Sequence, residues 1–308
     1  MPPFTVTLPP SLSHRLCRVR LDTLHRLRAL SNPASPSLAT MATQWGNYSD
    51  YSGTAKAAGS AIHVRDPRLD LARDLVPDLF SAKNCLDIGC NAGGVSCQLA
   101  FLHRAADVTG VDIDPKLVGQ AKKLLALRAS RTRPPTKGSD RVVDWFPMSA
   151  VLRYGYIEPE YKTLSGSTPP AAASLWPRVN FFSADWVTDQ EITGPYDVIL
   201  ALSVIKWIHL EHLDSGLKSF FRKCASSLSN GGYLVIELQT WDSYEKAVRP
   251  NKAPHFGSNF AQLQYRPETS FDSLLAEEQL HLCASSNALR RPIKIYRKKC
   301  SKIYSGTA

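Results

Sequence analysis

The chain has 308 residues, 44% of them hydrophobic, with a formal net charge of +10 at neutral pH. That length is long for one domain and short for two full ones, and no run approaches the roughly 18–20 uninterrupted apolar residues of a membrane-spanning helix, which excludes a helical integral membrane protein. The excess of Lys and Arg favours polyanionic partners through counterion release, although part of it sits in the first forty residues and in the Arg290–Lys302 region.

Residues 1–40 are rich in Pro, Ser and Leu, carry Arg15, Arg18, Arg20, Arg26 and Arg28, and hold a single acid, Asp22. An Arg-rich, acid-poor composition is that of a mitochondrial presequence. A disordered leader, or a stretch left untranslated ahead of a start at Met41, is favoured over import, because Met41 immediately precedes the first recognisable segment. From residue 69 an α/β rhythm sets in. The apolar spacing predicts a helix over 69–80, a strand over 85–88, a helix over 95–103, a strand over 108–111 and a helix over 115–129 with Pro115 in its first turn. Residues 130–178 interrupt that rhythm with Pro134-Pro135, Pro169-Pro170 and Gly/Ser clusters, and read as a mobile insertion. Strands follow over 179–183 and 196–202. A helix over 214–228 is expected to stop at Asn230-Gly231-Gly232, ahead of an apolar strand over 233–238. Segments 281–284 and 293–296 form a candidate closing antiparallel pair, and residues 300–308 a tail. Alternating strands and helices argue for a parallel sheet covered on both faces.

The sharpest local pattern is Leu86-Asp87-Ile88-Gly89-Cys90-Asn91-Ala92-Gly93-Gly94. Glycines between a strand and a helix let backbone approach a ligand closely. The spacing D-x-G-x-x-x-G is not the G-x-G-x-x-G that cradles a pyrophosphate. An acid at the strand end repels a pyrophosphate and attracts an ammonium. In this it resembles the first motif of class I methyltransferases, which implies S-adenosylmethionine as cofactor, with Asp87 near its amino-acid end and Gly89 and Gly93 beneath it. Asp112 ends the second strand, 25 positions on, where an acid suits a ribose diol, and Asp114 competes for that role. Asp185 and Trp186 follow the third strand, where the resemblance implies an acid on the adenine amino group and a flanking aromatic. Cys90, Asn91, Ile113 and Leu202 complete the expected cofactor set.

Three further segments narrow the reading: Gly46-Asn47-Tyr48-Ser49-Asp50-Tyr51, Ser203-Val204-Ile205-Lys206-Trp207-Ile208-His209, and Glu237-Leu238-Gln239-Thr240-Trp241-Asp242-Ser243-Tyr244. With Phe146-Pro147-Met148-Ser149, Arg222 and Arg291-Pro292-Ile293, they resemble the methylphosphate capping enzyme family, also called the Bicoid-interacting-protein-three family, over about residues 44–298. The resemblance implies a class I methyltransferase fold, a Rossmann-like and mostly parallel seven-stranded sheet with helices on both faces, in one domain spanning 41–299. It implies methyl transfer to the 5′ phosphate of small RNAs, without a metal. Lys206, His209 and Tyr48 are the expected catalytic residues, and Asn47, Tyr51, Ser203, Trp241 and Tyr244 the expected substrate contacts. Tyr48 and Tyr51 would close over the site from an N-terminal lid, while Trp241 and Tyr244 would offer stacking faces. Ser52-Gly53-Thr54-Ala55 is less aromatic than the family pattern.

The expected partner is a small RNA with a 5′ phosphate, handled by a monomer away from membranes, with room for an RNA-binding protein partner. Seven scattered cysteines without a C-x-x-C pair read as free thiols of a reducing compartment, nucleus or cytoplasm, or the mitochondrion if the leader is real. A non-catalytic RNA-binding subunit and a small-molecule or protein methyltransferase are the rival readings. A nicotinamide oxidoreductase is disfavoured by the missing pyrophosphate glycines.

Overall fold

The computed structural model describes Trp45, residues 62–156 and residues 178–299. Helix α1 (Pro67–Leu75) starts on Asp66, whose carboxylate accepts the Arg68 amide at 3.0 Å, with Pro67 in the first turn. It stops five residues before the expected end because Pro77 forces the residue before it out of helical geometry, and Val76 is extended at φ −133°. Strand β1 (Asn84–Ile88), α2 (Gly94–Phe101), β2 (Asp107–Asp112) and α3 (Pro115–Ser130) follow as predicted to within two residues.

The segment expected to be a mobile insertion begins with structure. Arg133 and Val142 exchange backbone hydrogen bonds of 2.8 and 3.1 Å across a small hairpin, and α4 (Met148–Tyr154) follows. Residues 157–177, the rest of that segment, lie outside the described residues. Then come β3 (Arg178–Ser183), β4 (Tyr196–Ala201), α5 (Ile205–Ser227), β5 (Leu228–Glu237) and α6 (Trp241–Ala247). A 3₁₀ turn at Pro254–Phe256, α7 (Gly257–Phe260), α8 (Pro267–Glu277), β6 (Leu280–Ser286) and β7 (Ile293–Lys298) complete the chain order. Helix α5 begins nine residues earlier than its periodicity predicted, because two helical stretches meet at a kink where Leu213 has φ +59°. Nor does Asn230-Gly231-Gly232 stop that helix, which ends at Ser227. These residues instead form the irregularity in β5 where its pairing with β4 jumps from Leu228 to Tyr233.

The seven strands run in the order β3-β2-β1-β4-β5-β7-β6. Neighbours from β3 to β5 are parallel, and β7 is antiparallel to both β5 and β6. Side chains alternate between two cores, as the strand period of two requires. Cys85, Val198 and Leu200 pack with α1, α2 and α3 on one face, while Leu86, Ile199 and Ala201 pack with α5 and α8 on the other. Strand order and the antiparallel β7 make this a class I methyltransferase fold. Chain direction across the sheet reverses between β1 and β4, so a crevice opens above their carboxyl ends, where open α/β sheets bind ligands.

Candidate active site

A cleft of about 470 Å³ lies at that reversal point. On one side it is lined by Asp87, Gly89, Cys90, Asn91, Asp112, Ile113, Asp185, Trp186 and Leu202, nine of the ten residues expected to hold the cofactor. The tenth, Gly93, does not line it. It caps α2 in the left-handed region at φ +79°, where a Cβ would come within 2.8 Å of the Ala121 Cβ. Gly89, at φ +73°, would put a Cβ 2.6 Å from Val204 Cγ2. Both glycines therefore hold the turn flat against the neighbouring elements.

Asp87 is buried at the tip of β1 and accepts the Ser96 hydroxyl at 2.6 Å. Burial pushes its carboxyl up to about 6, against the opposing Ser96 hydrogen bond and the Arg68 charge. A buried carboxylate facing a cleft is suited to a ligand that brings its own cation. At the tip of β2, Asp112 accepts the Asn91 amide at 2.8 Å on one oxygen and the Asp114 amide at 3.0 Å on the other. Each oxygen retains acceptor capacity, as two ribose hydroxyls require. The competing acid, Asp114, is the N-cap of α3 and accepts the Lys116 amide at 2.8 Å. Asp185 is held by the Val187 amide at 3.0 Å and by His212 Nε2 at 3.0 Å. This set of acceptors thus fits a nucleoside that carries an ammonium group.

The same cleft is also lined by cations. Lys206, on the first turn of α5, is 7% exposed, lies 4.5 Å from the Trp207 ring centre and donates to Ser243 Oγ at 3.1 Å. Burial first, and the Arg291 charge second, lower its ammonium to about 8. Lys246, Lys252, Arg290 and Arg291 also face the cleft.

Ser203, expected to touch substrate, lines the cleft in the left-handed region at φ +62°. It belongs to a buried network that sequence reasoning missed. Its hydroxyl donates to Glu237 Oε2, which also accepts Arg68 Nη1 at 2.8 Å; Arg291 Nη1 reaches Ser203 Oγ at 3.1 Å and Glu237 Oε1 at 3.4 Å. Arg68 further donates from Nη2 to Asp66 at 2.6 Å. Arg68 gave no signal in the sequence because it stands just ahead of the helix expected over 69–80. Trp45, just before the Gly-Asn-Tyr segment, lines the cleft as well.

Three expectations about the substrate side need correction. His209 is fully buried one turn below Lys206, beneath α6, with Nε2 2.8 Å from Asp214 and Nδ1 3.3 Å from the Tyr244 hydroxyl. Both ring nitrogens are engaged in holding helices together, and the ring is off the cleft wall. Tyr244 is itself fully buried, so it offers no face to a base. Trp241 stacks on Tyr244 with ring centres 5.4 Å apart and packs on Phe260 at 4.9 Å, outside the residues that line the cleft. Asn47, Tyr48 and Tyr51 lie outside the described residues.

A general methyltransferase domain model matches residues 86–135, the stretch that carries Asp87 and Asp112. The U6 snRNA methylphosphate capping enzyme Amus of Drosophila melanogaster is 30% identical over 268 residues, covering 83% of this chain and 75% of that protein. The 7SK snRNA methylphosphate capping enzyme of Mus musculus is also 30% identical and covers 83% of this chain. The chain spans about two fifths of the length of the mouse and human 7SK enzymes, at 40% and 39%. Among solved structures, the N-methyltransferase NodS of Bradyrhizobium japonicum aligns with a TM-score of 0.46 and 14% identity, over 76% of this chain and 94% of that one. The model of Bicoid-interacting protein 3 matches residues 196–298, the third of the chain that supplies Ser203, Lys206, Glu237 and Arg291, and with the fly relative's 30% identity over 75% of its length the chain belongs to the Bicoid-interacting protein 3 family.

Proposed function

We propose that this chain transfers the methyl group of S-adenosylmethionine to a 5′-terminal phosphate of a small RNA. The observation that carries the reading is one cleft with two chemistries. Asp87 and Asp112, suited to an ammonium nucleoside, and Lys206 and Arg291, suited to a phosphate, line the same cleft. The fly and mouse relatives are named as RNA methylphosphate capping enzymes, which supports the same substrate class.

The cofactor supplies a sulfonium-bound methyl carbon. Asp87 would hold its ammonium end, Asp112 its ribose and Asp185 with Trp186 its base. Transfer forms a bond from a phosphate oxygen to that carbon, breaks the sulfur–carbon bond and leaves S-adenosylhomocysteine. A terminal phosphate has a second pKa of about 6, so near neutral pH its oxygen is already ionised and no general base is needed. The task of the protein is to align nucleophile and carbon. Lys206, held by Ser243, and Arg291, held by Ser203 and Glu237, orient the phosphate without accepting a proton from it.

The test is methyl transfer to short RNAs bearing a 5′ phosphate or a 5′ hydroxyl, with phosphatase treatment of the labelled ends. The reading expects label only on phosphorylated RNA. It also expects Lys206→Met to lower kcat/KM about a hundredfold while S-adenosylmethionine affinity holds. Equal labelling of hydroxyl ends, or full activity in Lys206→Met, would overturn it.

A further inference from the structure

Residues 131–156 carry Arg131, Arg133, Lys137, Arg141 and Arg153 against two acids, Asp140 and Asp144. Both acids are already engaged: Asp140 pairs with Arg104 at 2.8 Å, and Asp144 with Arg131 at 2.8 Å and with His63. What faces solvent is therefore positive. It is also aromatic: Trp145 is 54% exposed, Tyr154 79% and Tyr156 59%. Exposed aromatics on a soluble surface mark contact sites when they cluster. These three occupy twelve consecutive residues, and two of them have a guanidinium over the ring, Arg133 at 4.7 Å from the Trp145 centre and Arg153 at 5.6 Å from that of Tyr154.

A chain of contacts links this segment to the cleft. Asp144, next to Trp145, accepts the His63 amide at 3.1 Å, three residues before Asp66, which grips the cleft residue Arg68. At its other end Arg104 ties the hairpin to the connection entering β2. Cations beside open ring faces match the two demands of a nucleic-acid single strand, charge for the backbone and a stacking plane for each base. Charge favours RNA over a protein surface, because the segment's five cations outnumber its two acids, of which Asp144 pairs with Arg131 and Asp140 with Arg104.

We infer that the hairpin and α4 form a second RNA-binding surface, on which a single-stranded segment beyond the 5′ end stacks against Trp145 and Tyr154 between arginines. The inference rests on the RNA-end reading above for its substrate, but not for its test. The probe is 5′-hydroxyl RNA, which has no terminal phosphate to methylate, in lengths of roughly four and roughly twenty nucleotides, measured by fluorescence anisotropy on the full chain.

Trp145→Ala and Arg133→Ala are expected to weaken the long RNA about tenfold each and the short one far less. Arg133→Ala should also lower the slope of log affinity against log salt by about one. Tyr154→Ala, at a more exposed position, guards against a folding defect, with circular dichroism checked for all three. Unchanged affinity for the long RNA, or equal loss on both lengths, overturns the inference. So does a variant-dependent change in sedimentation without a change in RNA affinity, which would make the surface a contact between copies of the chain. Failure of methyl transfer with the length effect intact would sink only the catalytic reading.

Discussion

Arg68 donates to Glu237 at 2.8 Å, joining the first turn of α1 to the tip of β5 across the floor of the cleft. Side chains at both ends are about nine-tenths shielded from water. Ser203 and Arg291 share the same carboxylate.

Removing that carboxylate takes one partner from each of two guanidinium groups, leaving Arg68 with Asp66 and Arg291 with Ser203. Glu237→Ala is expected to destabilise the fold by about 3–5 kcal/mol, the usual result of breaking a buried ion pair from one side. Glu237→Gln keeps the acceptor oxygen and should cost less. Urea denaturation of the two variants, compared with Arg68→Met, measures the coupling. If Glu237→Ala and Glu237→Gln unfold at the wild-type midpoint, the network does not hold the cleft floor.

Asp87 sets a pH dependence of opposite sign for stability and for binding. Burial raises its carboxyl to about 6, so the folded chain holds this proton more tightly than the unfolded chain does. Its contribution to stability is complete below about pH 4 and is lost as pH rises through about 6. Asp87→Asn removes the penalty, and near pH 7 should stabilise the ligand-free chain by up to about 3 kcal/mol. Cofactor binding follows the charged form, so its affinity should fall as pH drops below about 6 and should be weak and flat in Asp87→Asn. Thermal melts and calorimetry at pH 5 and 7.5 check the two signs independently. A wild-type affinity that rises on acidification would contradict the role given to this carboxylate.

Lys206 limits the opposite side of the pH range. Buried beside Arg291, its ammonium is held down to about 8. The charged form should hold the phosphate, so kcat/KM is expected to decline above about pH 8, while the phosphate's own second ionisation sets the acidic limb near about 6. Arg291→Met removes one repelling charge and should move the alkaline limb upward. Lys206→Arg, which stays charged, should abolish that limb even where overall activity drops. An alkaline limb that persists unchanged in Lys206→Arg would assign it to another group.

The sequence was sufficient for the elements whose cause is local. Pro115 announces a helix start, and Asp87-x-Gly-x-x-x-Gly announces a strand, a turn and a helix, because proline and glycine turns act within a few residues. Nine of the ten residues expected on the cofactor wall are there, since strand tips in this topology converge at a fixed place. Only tertiary structure separated Lys206 from His209. They stand three positions apart in one motif, yet α6 crosses over the helix and seals the histidine against Tyr244 and Asp214 while leaving the lysine on the cleft. It also decided the placing of Trp241 and Tyr244, whose aromatic faces are covered by each other and by Phe260. The Arg68–Glu237–Arg291 network was illegible for the same reason. Its members are 169 and 54 positions apart, and a buried charge gathers its partners through the packing of helix, strand tip and loop, which no local spacing records.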